Sequence, residues 1–155
     1  NQAHRLAKGL APLEVEANGL MSALGKLAEQ TRELFGIECE VESDLVTVPL
    51  DRQIQVQLYR IAQEGVNNAA KHADPHRILV QVTAGDVGLC LTVKDDGSGV
   101  HPKPAGMGLR IMRYRAQSID ASLDIESRPD HGTELRCVVP CPMVVESRVK
   151  IDPSR

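Results

Sequence analysis

Glu64, Asn68, Lys71 and His72 set a carboxylate, an amide, a cation and an imidazole along one short stretch. Spacings of three and four residues put such side chains next to one another if the stretch is helical. Ile54, Leu58, Ile61, Ala62, Gly65 and Ala69 recur at the same steps and mark an apolar stripe beside the polar row. Polar groups at the edge of a core are costly to desolvate unless something binds there. A solvated helix face is the cheaper reading of this stretch taken alone, and later segments must decide between the two.

Three of them carry compatible chemistry. In KDDGSGV at 94–100, Asp95 ends a predicted strand, and Gly97 and Gly99 let the backbone turn and approach a flat ligand closely. A carboxylate held there needs a donor, and the exocyclic amine of a purine is one; an ordinary Asp-Gly turn is the alternative. In AGMGL at 105–109, Gly106 and Gly108 precede a predicted helix, where free N–H groups and the positive end of the dipole favour an anion. The pattern lacks the third glycine and preceding parallel strand of a dinucleotide fingerprint, and no Gly-Lys-Ser/Thr follows it. Gly132-Thr133 enters the last strand, where the Thr hydroxyl can share a water with Asp95, or where the pair is simply a turn glycine and a β-branched residue.

The elements that must position these residues follow from periodicity and punctuation. Residues 1–10 read as the end of a helix, broken by Pro12. A helix is predicted over 18–35, with Leu20, Leu24, Leu27 and Leu34 on its apolar face and Gly36 as C-cap. Residues 37–41 alternate as a strand, and 45–49 form an extended link. The long helix runs from about Leu50-Asp51, with Asp51 as cap or first-turn acid, to Ala73, where Asp74-Pro75 stops it. Strands over 77–83 and 89–94 flank a hairpin turn at Gly85–Gly88. A Gly- and Pro-rich loop spans 95–108. A third helix follows over 109–119, with Ile111, Met112, Tyr114 and Arg115 near its core edge. The last strands, 122–127 and 133–139, flank the turn RPDHG, and a loose tail follows from 140. This order predicts an α+β fold, a two-layer sandwich with helices on one face of a mixed, mostly antiparallel sheet.

The ordered set Glu64/Asn68/Lys71/His72, Asp95/Gly97/Gly99, Gly106/Gly108/Leu109 and Gly132/Thr133 resembles the ATP-binding module of the GHKL superfamily, which includes gyrase, the HSP90 chaperones and sensor histidine kinases. LYRIAQEGVNNAAKH at 58–72, GMGLRIMRYRA at 106–116 and LDIESRPDHGT at 123–133 are similar to the histidine kinases that partner LuxR-type response regulators. The resemblance covers about residues 20–140. It implies that Asn68 holds Mg²⁺ bridging the phosphates, and that Lys71 and His72 contact phosphate or ribose. It implies that Asp95 accepts from the adenine amine, with Thr133 helping through water, and that Gly97 and Gly99 shape the adenine pocket. Residues 100–105 become an ATP lid that Gly106 and Gly108 let close, beside Leu109. Glu64 becomes a base or an orienter of water.

The implied activity is that of a histidine protein kinase fragment using ATP and Mg²⁺, with its acceptor histidine elsewhere. Its implied partners are a histidine-bearing dimerisation domain, indirectly a response regulator, and a second copy of the parent. Residues 1–13 are then a remnant of the dimerisation helix, 14–140 the catalytic domain and 141–155 a tail. A serine-kinase anti-sigma switch, a nucleotide-sensing module without turnover and a gyrase-like hydrolase are the competing readings. The sequence departs from the pattern at a stiff lid, HPKP at 101–104, whose Lys103 either reaches a phosphate or, the favoured reading, is solvated. It departs also at Asp120, where the class has glycine, and at His4, which precedes Arg5 rather than an acid and reads as a surface residue.

Composition narrows the field further. A hydrophobic content of 42% supports one aliphatic core, since Phe35, Tyr59 and Tyr114 are the aromatics. A formal net charge of -3 gives no footprint for nucleic acid. No stretch approaches the roughly 18 apolar residues of a membrane span, so this fragment is expected to make no direct membrane contact; a cytoplasmic location with reduced thiols is expected, with membrane anchoring of the parent left open. Cys39, Cys90, Cys137 and Cys141 lack the paired spacing of zinc ligands and are expected as reduced, packed thiols. Asn1 suggests a chain cut from something longer.

Overall fold

The structure, a computed structural model, describes residues 15, 18–44, 50–99 and 106–140. The expected helix remnant with His4, the link at 45–49, the lid at 100–105 with Lys103, and the tail with Cys141 lie outside the described residues, as do the expected domain edges at 13 and 141.

Helix α1 spans Leu20–Phe35. It buries Leu20, Ala23, Leu24, Leu27, Ala28 and Thr31, and Gly36 caps it at φ 65°, its N–H donating to Arg32 O. Leu34, expected on the apolar face, is 62% exposed. The inward position in that turn belongs to Thr31, whose hydroxyl donates to Leu27 O (2.8 Å) and so enters the core without an unpaired donor.

Strand β1 (Glu38–Ser43) leads to helix α2 (Arg52–His72). Asp51 caps α2 by accepting from Gln53 N at 3.0 Å. Helix α2 buries Leu58, Tyr59, Ile61, Ala62, Gln63, Val66 and Ala69. It stops at Ala73, where Asp74 turns left-handed (φ 47°) before Pro75.

The hairpin β2 (Arg77–Gly85) and β3 (Gly88–Asp95), helix α3 (Met107–Ser118), and the hairpin β4 (Ser122–Arg128) and β5 (Gly132–Val139) complete the chain. The sheet runs β1-β2-β3-β5-β4. Only β1 pairs parallel; the other neighbours are antiparallel. Alternation along β3 and β5 sends Leu89, Leu91 and Val93, and Leu135, Cys137 and Val139, into the core under the helices. This is the expected two-layer α+β sandwich, open at its edges. Burial pushes the Cys39 and Cys137 thiols up to about 11 and about 12, so both are protonated packing groups. Among the described residues no helix is long and apolar enough to cross a membrane.

Helix α3 begins two residues earlier than its pattern suggested, because Gly106 itself is the N-cap and Met107 already has helical geometry. Its burial also differs. Met112 and Ala116 face the core, whereas Ile111 (39% exposed) and Tyr114 (75% exposed) face outward.

At its far end Ala121 N donates to Ala116 O (2.8 Å) and Asp120 N to Gln117 O (3.1 Å), a Schellman closure that requires a left-handed residue at Asp120. Asp120 supplies it at φ 54°. Asp tolerates this region better than most residues but less well than Gly. Asp120→Gly should therefore stabilise the domain by about 0.5–1 kcal/mol, read as a raised urea midpoint with unchanged slope.

Candidate functional site

The register of three strands builds the floor of a cavity. Asp95 pairs with Thr133, and Thr133 with Ser127; one step inward Val93 pairs with Leu135, and Leu135 with Ile125. Period-two alternation puts all six on the helix-covered face. The polar row lies toward the open end of the sheet and the apolar row toward the core.

Helices α2 and α3 supply the walls. The cavity measures about 380 Å³, and Asn68, His72, Gly106, Gly108, Leu109 and Met112 join the strand residues in lining it. That volume and its largely apolar lining with a few polar groups suit a flat, drug-sized ligand. Gly65 lets α2 sit close over the floor: a Cβ there would lie 3.4 Å from Leu135 Cδ1 and 3.5 Å from Val93 Cγ2.

Asp95 is the charged group of the floor. Its Oδ1 accepts from Gly97 N at 2.9 Å. Burial holds its carboxyl above the ordinary carboxylate range; the Gly97 and Thr133 backbone amides pull it down, and neighbouring Asp96 adds to the rise. The thermodynamic sign follows. A raised folded-state pKa means that the folded chain holds the proton more tightly than the unfolded chain does. The resulting stability is whole below the unfolded-state pKa and is lost as pH rises through the folded-state value. In ligand-free thermal melts, the Tm difference between wild type and Asp95→Asn should therefore fall with pH just above 3.8, the ordinary value, and then flatten.

Thr133 and Ser127 share a hydroxyl–hydroxyl bond of 3.1 Å, which steadies the Thr side chain beside Asp95. Asp96 points the other way. Its Oδ1 accepts from His76 N (2.8 Å) and Arg77 N (2.9 Å), tying the start of β2 to the end of β3.

At the opposite end of the cavity, Gly108 occupies the first turn of α3. A Cβ there would run into Glu64 Oε1 and come within 3.5 Å of Asn68 Nδ2. Glu64 and Asn68 therefore converge on the first turn of α3, whose cap residue Gly106 has no side chain to satisfy the N–H groups of that turn.

Of the residues singled out from sequence, Asn68, His72, Asp95, Gly106, Gly108, Leu109 and Thr133 meet around one cavity, with Glu64 at its margin. Lys71 is exposed and lies off the cavity wall. Gly97 and Gly99 also stand off the wall. Gly97 packs on the Ala73 carbonyl at the end of α2, and Gly99 (φ 68°) packs on the Arg128 carbonyl at the β4–β5 turn. Both fix the loop that carries Asp95 instead of touching the cavity. Of the apolar lining, Val93, Met107, Ile125 and Leu135 had not been singled out, and Met112 had been read only as a residue near the core edge of its helix. Alternation about Asp95 and Thr133 is the signal that picks out Val93 and Leu135.

Residues 53–143 match the family model described as histidine kinase-, DNA gyrase B-, and HSP90-like ATPase. The chain belongs to this ATPase family. Among solved structures, this ATPase domain is similar to the histidine kinase domain of the blue-light activated histidine kinase of Erythrobacter litoralis EL346. The identity is 26% and the TM-score 0.62, over 78% of this chain and 60% of that one. It shares its fold with full-length ShkA, solved in complex with AMPPNP, at 23% identity and a TM-score of 0.65, over 79% of this chain and 29% of that one. The ATP binding domain of PrrB from Mycobacterium tuberculosis gives 20% identity and a TM-score of 0.59, over 77% of this chain and 91% of that one. The ATPase domain thus resembles histidine kinase catalytic domains. It spans 60% of the first of these chains and 29% of the second.

Proposed function

We propose that this domain binds Mg-ATP and donates the γ-phosphoryl to a histidine outside residues 1–155, as the catalytic part of a two-component sensor histidine kinase. The observation that carries this reading is the polarity of the cavity. One end offers a half-buried carboxylate beside a steadied hydroxyl, and the other offers an amide and the open first turn of a helix.

The residues fit the nucleotide in that direction. The Asp95 carboxylate accepts from the adenine amine while Gly97 N–H holds its Oδ1. The Thr133 hydroxyl supports the same edge through water. Val93, Ile125, Leu135 and Met112 clasp the ring. His72 and Lys71 meet ribose or phosphate, Lys71 reaching in from its exposed position.

The amides of the first turn of α3 donate to phosphate oxygens, with no side chain of Gly106 over them, while Gly108 leaves room for the Glu64 carboxylate alongside. Asn68 would hold Mg²⁺ through its amide oxygen. Asn68 would share the ion with phosphate oxygens and water, the usual partners of Mg²⁺; among the described residues no three His, Cys, Asp or Glu side chains converge as a metal site. Bound Mg²⁺ neutralises phosphate charge, which is most of what phosphoryl transfer asks of its site. Glu64 serves as base or as an orienter of water near Asn68.

The wording of segments 58–72, 106–116 and 123–133 supports a kinase that partners a LuxR-type response regulator, in a homodimeric parent acting in the cytoplasm. Incubation with Mg-ATP and the parent's dimerisation domain should yield acid-labile phosphate on histidine. Free phosphate release that depends on Glu64, with no phosphoprotein formed, would instead identify a hydrolase.

A further inference from the structure

Gly108 is a glycine that its own backbone does not require. It lies in the first turn of α3, whereas the left-handed glycines among the described residues are Gly19, Gly36, Gly88, Gly99 and Gly132. In a helical conformation Ala is the better residue, and Gly is the poorest after Pro. Something other than conformation therefore accounts for the missing Cβ.

The surroundings of Gly108 supply the reason. A Cβ there would run into Glu64 Oε1, with Glu64 Cδ at 3.2 Å, while Asn68 Nδ2 would lie at 3.5 Å, an ordinary contact. The collision is with one carboxylate and with no backbone atom. The other two helical glycines differ. A Cβ on Gly25 of α1 would meet nothing within 4 Å, and one on Gly65 of α2 would meet the apolar side chains of Leu135 and Val93. Of the three, Gly108 alone makes room for a charged group. Glu64 is half-buried, and among the described residues no hydrogen bond or ion pair fixes its carboxylate. What holds it in place is close contact with Gly108, helped by the positive end of the α3 dipole, which favours a carboxylate beside the first turn.

We propose that Gly108 is a positioning residue for phosphoryl transfer: its bare Cα seats the Glu64 carboxylate against the first turn of α3, at the phosphate end of the cavity. The part played in transfer rests on the kinase reading above. A methyl group at this position pushes the carboxylate back by about an ångström, to ordinary contact distance. A displacement of that size in a group that must be aligned with the reacting atoms costs up to about a hundredfold in rate. Nucleotide binding is spared, because it uses the α3 amides and Asn68, which the methyl group leaves in ordinary contact. A glycine kept only to let phosphate reach those amides makes no use of Glu64, and that difference separates the two roles.

The test is a double-mutant cycle on the full-length parent, with Gly108→Ala, Glu64→Ala and the pair. Transfer rate to the acceptor histidine is measured beside affinity for a non-hydrolysable ATP analogue with Mg²⁺. Gly108→Ala alone should slow transfer by about tenfold or more and leave affinity within about threefold. In the Glu64→Ala background the same change should alter transfer by less than about twofold. Gly25→Ala, the helical glycine with open space, should leave both readouts as in wild type. An equal loss from Gly108→Ala in both backgrounds would overturn the seat, since Gly108 would then act on phosphate without Glu64. Ligand-free ¹⁵N spectra read the seat with no transfer at all. Glu64→Gln should move the amide signals of positions 108 and 109 in the wild-type background and leave them in place in the Gly108→Ala background. Equal movement in both backgrounds would overturn the seat and leave the kinase reading standing. Wild-type protein that binds no analogue and phosphorylates no histidine would overturn the kinase reading, while the spectra still decide the seat.

Discussion

Asp95→Asn should weaken ATP binding by about a hundredfold while the domain stays folded. The substitution keeps shape and keeps an oxygen to accept from Gly97 N–H, now at 2.9 Å from Oδ1. What it changes is the second position of the carboxyl. A carboxylate only accepts, whereas an amide presents N–H₂ there, and a purine amine then meets a donor instead of an acceptor. A hydrogen bond to a charged group contributes about 1.5–3 kcal/mol, and the donor–donor clash adds to the loss. Since 1.4 kcal/mol is a factor of ten, two orders of magnitude follow. Thermal stability should hold or rise, because the variant removes a carboxylate whose charge burial disfavours. Calorimetric titration beside a melting curve separates the two effects. A folded variant with wild-type affinity would show that the floor of the cavity does not read the base.

Gly132→Ala should destabilise the whole domain by about 3 kcal/mol. Gly132 has φ 81°, and a Cβ there would run into the Asp95 carbonyl. Left-handed backbone costs a non-glycine residue roughly 1–2 kcal/mol, and forcing an atom into a packed space typically costs about 1–3 more. The strain falls on the β3–β5 pairing at its Asp95–Thr133 rung. A drop in Tm of roughly 10 °C is expected, with nucleotide affinity reduced in whatever remains folded. Gly36→Ala is the comparison. Its φ is 65°, but a Cβ meets nothing within 4 Å, so only the conformational cost of about 1 kcal/mol applies. If the two variants melt alike, close approach at Gly132 is not what holds the rung.

The contrast between these glycines also explains what could be read from the sequence. Periodicity gave α2 nearly to the residue, because its stripe and its stops at Asp51 and Asp74-Pro75 are local properties. The polar row beside that stripe was ambiguous until three later segments supplied matching chemistry. Gly97 and Gly99 show where such reading ends. A glycine signals that something comes close to the backbone, yet its neighbour is set by tertiary packing. Here the neighbours are the carbonyls of Ala73 and Arg128.

Leu34, Ile111 and Tyr114 fail for a related reason. An apolar residue goes inward only where another element covers it, and none of the described elements covers the last turn of α1 at Leu34 or the outer side of α3. The apolar cavity wall was hidden because it depends on register: Val93, Leu135 and Ile125 come from three strands and meet only when those strands pair. Asp120 went the other way. An uncomfortable residue at a helix end proved able to take the left-handed geometry that the loop demands.

The central claim is that one nucleotide spans the cavity from Asp95 to Gly108 with Mg²⁺ at Asn68. Titration of the ¹⁵N-labelled domain with a non-hydrolysable ATP analogue, with and without Mg²⁺, tests it most directly. Saturable shifts should appear at the Gly97, Thr133 and Gly108 amides together, with Asn68→Ala abolishing only the Mg²⁺-dependent part of the affinity. Shifts absent from these amides, or an affinity indifferent to both Mg²⁺ and Asn68, would contradict it.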